Sequence, residues 1–194
     1  VLPDSRLYAI CRDDDSTFGV LSSRQHVVWA VANASRHGVG NDPTYNAGEC
    51  FETFPFPDGL APNLPPSSFT NPCAASIATA AVKLNSLRET WLNPPEWVDR
   101  VPEVVPGYPD RIFAKPGHEA DLKKRTLTNL YNERPTWLRL AHKRLDQAVL
   151  AAYAAVDPDG GWSPDWADVW EDTGAGQPFP AGHATGAHRT EIDQ

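Results

Sequence analysis

Apolar positions in the first third of the chain come in short groups. Residues 7–11 (LYAIC) and 17–21 (TFGVL) read as two short strands separated by the turn-forming run from Arg12 to Ser16. Val27, Val28, Val31 and Ala34 then recur at three- and four-residue spacing. That spacing predicts a helix capped by Ser22 or Ser23 and ended by His37, Gly38 and Gly40. The stretch VGNDPTYNAGE is loop by composition, and FETFPFPDG runs through two aromatic-proline pairs that no helix accommodates. Residues 58–72 are rich in proline and poor in core-forming groups, so a linker and a domain boundary are expected there.

Beyond the linker the period becomes helical. Ala74 to Leu92 is Ala-rich and Glu119 to Tyr131 is amphipathic. Pro135 to Tyr153 carries Leu138, Ala141, Leu145, Ala148, Val149 and Ala152 on one face. An irregular proline-rich crossing from Asn93 to Gly117 joins the first two. Ser163 to Glu171 predicts a short helix with Ser163 as cap, Pro164 at its first position and Trp166, Val169 and Trp170 inward, and Thr190 to Gln194 predict the opening of another. The expected fold class is α+β: a small portion with short strands and one helix over 1–57, then a mainly helical domain over 73–194.

Composition sharpens this in three ways. The 194 residues include 19 prolines, 13 glycines, 3 cysteines and no methionine, and the chain starts at Val1, which fits a segment of a longer protein. No apolar run approaches the ~20 residues that span a bilayer. Cys11, Cys50 and Cys73 are odd in number and far apart with no C-x-x-C pair, so neither a disulfide framework nor a zinc site is written here, and a reducing cytoplasm is the default compartment. The net charge of −8 is uneven. Residues 1–110 carry 7 basic and 13 acidic groups, 111–144 carry 9 and 3, and 145–194 carry 1 and 9. A basic block thus lies between two acidic ones, compatible with polyanion binding and equally with a solvated helix face.

Few motifs carry chemistry. Asn93-Pro94-Pro95-Glu96-Trp97 is close to the N/D-P-P-aromatic loop with which amino-methylating enzymes hold a flipped base, but Glu96 stands at the aromatic position and no glycine-rich methyl-donor turn precedes it. A helix end broken by two prolines, with Trp97 packed nearby, is the expected role. No Ser sits in a G-x-S-x-G elbow and no Cys is flanked as a nucleophile. His26, His37, His118 and His142 are isolated, and His183 and His188 lie in a Gly/Ala-rich tail, so metal spacing is missing. His142 is read as a hydrogen-bonded, partly buried histidine or a neighbour of phosphate. At Lys115 to Arg125, Gly117 permits a sharp turn into a helix followed by Lys123, Lys124 and Arg125. That turn is either a phosphate cradle or a terminus already complemented by Glu119 and Asp121.

Taken in order, FGVLSSRQHVVWA (Phe18 to Ala30), TFPFP (Thr53 to Pro57), YPDR (Tyr108 to Arg111), KPGH (Lys115 to His118) and RTLTNLYNERPTWLRLAHKRLDQAVLAAY (Arg125 to Tyr153) resemble the C-terminal part of the large MmeI-like DNA methyltransferases. These are single-chain methylation or restriction-modification proteins, and the likeness covers residues 5–172. It implies that 1–57 close a target recognition domain and that the helical region from 73 onward helps hold double-stranded DNA. S-adenosylmethionine would be bound by an upstream methyltransferase domain of the same protein, not by this chain. One departure is Ala154-Ala155, where relatives often have Gly-Trp, and it leaves the end of that helix open. The resemblance further implies base reading by Asn41, Asp42, Thr44 and Asn46 around Tyr45, against an ordinary polar turn as the alternative. From their positions beside that loop Arg24, Arg36 and His37 are phosphate candidates, with a buried salt bridge as the alternative for Arg24, and Lys115, Lys123, Lys124 and Arg125 are those of the basic turn. The alternative is a docking module without DNA contact, held to its parent enzyme or to a second protein.

Overall fold

The computed structural model describes residues 8–37, 42–105 and 107–155, so the helices expected at Ser163 to Glu171 and at Thr190 to Gln194 lie outside the described residues. It shows a mixed α+β chain. Residues 8–14 carry no regular structure, and the expected strand at 17–21 is instead the middle of helix α1, Asp15–Ser22. Asp14 decides this locally. Its side chain accepts from the Thr17 N–H at 2.8 Å, closing the first turn, while Arg12 holds the carboxylate at 2.6 Å. Ser16, Thr17, Gly19 and Val20 then form one buried face at helical spacing.

Ser23 ends α1 and caps α2, Arg24–Asn33. Its hydroxyl donates to the Val20 carbonyl at 2.6 Å and lies 3.5 Å from the His26 N–H, and the residue is wholly buried. The helix starts where the sequence puts it but ends at Asn33, short of His37, and the buried residues of α2 are Gln25 and His26, and not its valines. Strand β1, Ser35–His37, replaces the expected end of that helix and pairs antiparallel with β2, Asp42–Thr44, which lies in the expected loop, and a π-helical turn at Ala47–Phe51 buries Cys50.

The stretch 58–72 is a strap across the core. Leu60 is 1% exposed, and the Arg12 guanidinium donates to the Pro62 and Leu64 carbonyls at 3.1 and 2.6 Å. Buried Asn71 donates to the carbonyls of Asp58 and Ala152, both at 2.9 Å, which ties the strap to a backbone 81 residues further along. Gly59 takes a positive φ of 76°, and a Cβ there would meet the Thr70 hydroxyl. The stretch expected as a linker is thus packed against the core on both sides of it. Val20 and Phe54 on one side and Ile77, Leu84 and Leu145 on the other share one apolar cluster.

Helices α3, Ala74–Leu92, and α6, Thr136–Ala154, form where the periodicity predicts them. Leu138, Ala141, Leu145, Val149 and Ala152 are all buried, as their common face requires. Two other expectations change. The crossing from Asn93 to Gly117 contains strands β3, Val98–Val101, and β4, Arg111–Ala114, paired antiparallel from Val98↔Ala114 to Val101↔Arg111. The helix expected over 119–131 is split into α4, Glu119–Leu122, and α5, Leu127–Glu133. Thr126 restarts it by accepting from the Asn129 N–H at 3.2 Å, and the Asn129 amide holds the Lys124 carbonyl at 2.7 Å. Among the described residues no helix is long and apolar enough to cross a membrane.

The interior also holds ionisable side chains. Asp146, 4% exposed, accepts from the Arg24 N–H at 2.8 Å, so α6 satisfies a free donor at the start of α2 across 122 residues of sequence. His142 meets the Tyr131 hydroxyl at 2.8 Å, and Arg88 lies over the Tyr131 ring. Burial pushes His26 and His142 down to about 4, with the charges of Arg88 and Arg24 adding to the effect at His142. Burial pushes Asp146 up to about 7, outweighing the Arg24 N–H bond and the Arg24 charge, which pull the other way.

Two outcomes follow from this packing. A Cβ on Gly19 would lie 2.6 Å from Ile77 Cγ2 and 3.1 Å from Ala81 Cβ. Gly19→Ala should thus lower stability by about 1–3 kcal/mol through overpacking, against the ~0.5–1 kcal/mol gain expected at an open helix position, and a urea titration reads the sign directly. For pH, the two histidines contribute stability that is present above their unfolded value of 6.5 and lost as pH falls to about 4. Asp146 contributes stability that is full below its ordinary 3.8 and lost as pH rises to about 7. Between these limits the histidines outweigh the single carboxyl, so stability rises with pH. Asp146→Asn keeps the acceptor for Arg24 and removes the opposing proton, and it should make that rise about twofold steeper. Unfolding midpoints across this range check it; an unchanged slope contradicts it.

Candidate nucleic-acid interface

The ribbon β1–β2 brings part of the expected reading set together. Its register places Arg36 across from Pro43, His37 across from Asp42 and Ser35 across from Thr44. Two residues expected on phosphates thus share a two-stranded ribbon with two expected on bases. Asn41 lies outside the described residues. Asn46 is apart from the ribbon: its carbonyl accepts from the Glu49 and Cys50 N–H groups at 3.1 and 2.7 Å, and its amide reaches Glu49 at 3.5 Å.

Tyr45 fixes where the ribbon leaves the body. Its hydroxyl meets His26 Nε2 at 3.1 Å, and its ring lies 6.1 Å from that of Tyr8. His26 in turn stands edge-on to Phe54, 4.6 Å between centroids, and Phe54 packs on Phe56 and Trp29. With its ring pushed to about 4 by burial, His26 is neutral near pH 7 and hydrogen-bonds as a neutral imidazole. Burial also raises the Tyr45 phenol, which keeps its proton. Between Tyr45, Tyr8, Ile10, Cys11 and Phe51 opens a mainly apolar surface cleft of about 480 Å³. Arg24 belongs to a different place. It is half-buried at the start of α2, where its charge acts on Asp146 and His142 in the interior.

The second basic segment gathers around Trp97. The Lys115 N–H donates to the Trp97 carbonyl at 2.8 Å, continuing the β3–β4 ladder. His118 stacks on the Trp97 ring at 5.4 Å with 13° between planes, and the Arg125 guanidinium lies 4.8 Å from the Trp97 centroid and 4.3 Å from that of Trp91. Here NPPEW has the expected packing role. Asn93 ends α3 and holds Glu89 at 3.0 Å, Pro94 is buried, and Trp97 is engaged with His118 and Arg125.

Most of the charge in this segment is spent locally. Lys115 donates to the Pro95 carbonyl at 2.9 Å and lies 3.9 Å from Asp99, while Lys124 pairs with Asp121 at 3.2 Å. Gly117, at φ 89°, donates its N–H to Glu119 at 3.0 Å, so the turn is complemented by its own acid. Lys123 is exposed, and Arg111 is held by both Glu103 oxygens at 2.5 and 2.7 Å. The structure therefore brings Lys115 and Arg125 together through Trp97, as parts of a packed joint.

Sequence reasoning missed Trp91 and Asp146. The available signal for Asp146 was a lone acid on an otherwise basic and apolar helix, read there as nothing. Comparison with family models, curated proteins and solved structures returns no match for this chain.

The joint at Trp97 gives a direct expectation. Arg125→Ala should cost about 1 kcal/mol or more by removing the guanidinium from two indole faces, and Arg125→Lys should recover part of it. Thermal unfolding of the two variants measures this; equal melting of wild type and Arg125→Ala contradicts it.

Proposed function

We propose that this chain is the DNA-binding C-terminal portion of an S-adenosylmethionine-dependent DNA methyltransferase, of a restriction-modification or phage-defence system, acting most naturally on adenine N6. In this reading residues 1–57 close the target recognition domain and the helices from residue 73 onward hold the duplex. The methyl donor and the catalytic loop belong to an upstream domain of the same protein. The observation that carries the reading is the register of β1–β2, which sets Arg36 and His37 opposite Pro43 and Asp42 on a ribbon of a kind that fits the major groove. Asp42 would accept from cytosine N4, and Thr44 would offer a hydroxyl or touch a thymine methyl. Arg36 and His37 would set register on the phosphates.

A second reading is favoured by one surface. On and between β3 and β4, Val104 is 88% exposed and Tyr108 67%, with Val101, Val105, Ile112 and Phe113 also open. Such an apolar hairpin suits docking on another part of the parent enzyme or on a second protein.

Duplex titrations separate the two. DNA binding predicts association whose affinity falls steeply and linearly on logarithmic axes as salt rises, and docking alone predicts none at low salt. Within the parent enzyme, Asp42→Asn or Thr44→Val should change which sites are methylated; an unaltered methylation pattern removes these residues from the reading set.

A further inference from the structure

Helix α6 has one acid, Asp146, and that acid is buried. Its outward face carries Thr136, Arg139, Leu140, Lys143, Arg144 and Gln147, all exposed. Three cations and no carboxylate thus share one side of a helix whose opposite side is locked into the core by Leu138, Ala141, Leu145, Val149 and Ala152. Among the described residues, Lys143 and Arg144 have no ion-pair partner. The contrast with 115–125 is chemical: there Lys115 and Lys124 each have an acid within 4 Å and Arg125 rests on two indoles. Like charges at Arg139 and Lys143, four residues apart on this face, repel each other.

We infer that the phosphate-binding surface of this chain is the outward face of α6, centred on Lys143 and Arg144 and flanked by Arg139, and that its ligand is the phosphodiester backbone of duplex DNA. This rests on the DNA-binding reading above and moves the electrostatic contact away from Lys123, Lys124 and Arg125. From Arg139 to Arg144 the helix rises about 7.5 Å, which is about two phosphates of one strand at ~3.4 Å of duplex axis each. Thr136 and Gln147 stand one turn beyond each end of the cationic stretch and offer neutral hydrogen bonds to the same backbone. The face is held stiffly, so the cations meet the duplex without ordering a loop first.

Fluorescence anisotropy with the full 194-residue chain and a labelled duplex of arbitrary sequence, over a series of salt concentrations, tests this. Lys143→Gln with Arg144→Gln should make the log–log salt slope shallower by about two, while Lys123→Gln with Lys124→Gln leaves it at the wild-type value. The swap Lys143→Arg with Arg144→Lys keeps both charges and should keep the slope. Both pairs are exposed, and an unchanged melting temperature shows that the fold survives. If the wild type binds with a steep slope that the Lys143/Arg144 pair leaves intact, or that the Lys123/Lys124 pair flattens instead, the α6 assignment is wrong and the DNA-binding reading stands. If the wild type binds no duplex even at low salt, both are wrong.

Discussion

The approach of α1 to α3 and α6 at Gly19 is the contact on which the rest of the structure depends. With no side chain at this position, the α1 backbone lies close enough that Ile77, Ala81 and Leu145 converge on a single point. Burying α1, α3 and α6 together gives the described residues one core of useful size in place of two inadequate ones. The strap at 58–72 closes over that core, with Leu60 inserted and Asn71 bonded to the end of α6. A proline-rich composition does not mean a spacer when its carbonyls are needed as acceptors for a half-buried arginine.

Asp146 is the second organising element, and it works by placing charge where water is excluded. Its carboxyl answers the first free N–H of α2, and Gln25 donates to its carbonyl at 3.2 Å, so two helices far apart in sequence are joined by polar bonds inside an apolar interface. Burial raises its affinity for a proton, and the same burial holds His142 and His26 neutral. Because α2 leads directly into β1, and His26 on α2 meets Tyr45 just after β2, the ribbon is braced at both of its ends. The basic face of α6 and the ribbon are thereby referred to the same interior.

How far the sequence could be read depended on the range of the deciding interaction. Leu138, Ala141, Leu145, Val149 and Ala152 repeat over about four turns, and a pattern of that length admits only a helix. Ser23 is legible as a cap because the donor it serves is three residues away. Thr17 to Leu21 were misread because five residues hold too little periodicity to distinguish strand from helix, and the discriminating group, Asp14, stood just outside the apolar run. The split between α4 and α5 failed for a similar reason: Thr126 and Asn129 compete locally with the helix that the apolar spacing alone predicts. At the interface, NPPEW was legible as packing, since two prolines end a helix whatever surrounds them. Arg125 was not, because a guanidinium facing solvent and one resting on Trp91 and Trp97 have the same local sequence.

The sequence by itself determined the long helices α3 and α6, the capped start of α2, the basic block and the irregular backbone around the aromatic-proline pairs. These depend on residues within about one or two helical turns of each other, where propensity and capping act. Only the tertiary structure decided that the two halves share a core, that three- and four-residue strands pair, which acid is buried and which cations remain available. Each of those outcomes rests on groups from distant parts of the chain meeting, as Arg24 and Asp146 do across 122 residues. Desolvation, which sets the protonation of Asp146 and leaves Lys143 and Arg144 facing water, exists only once that packing is complete.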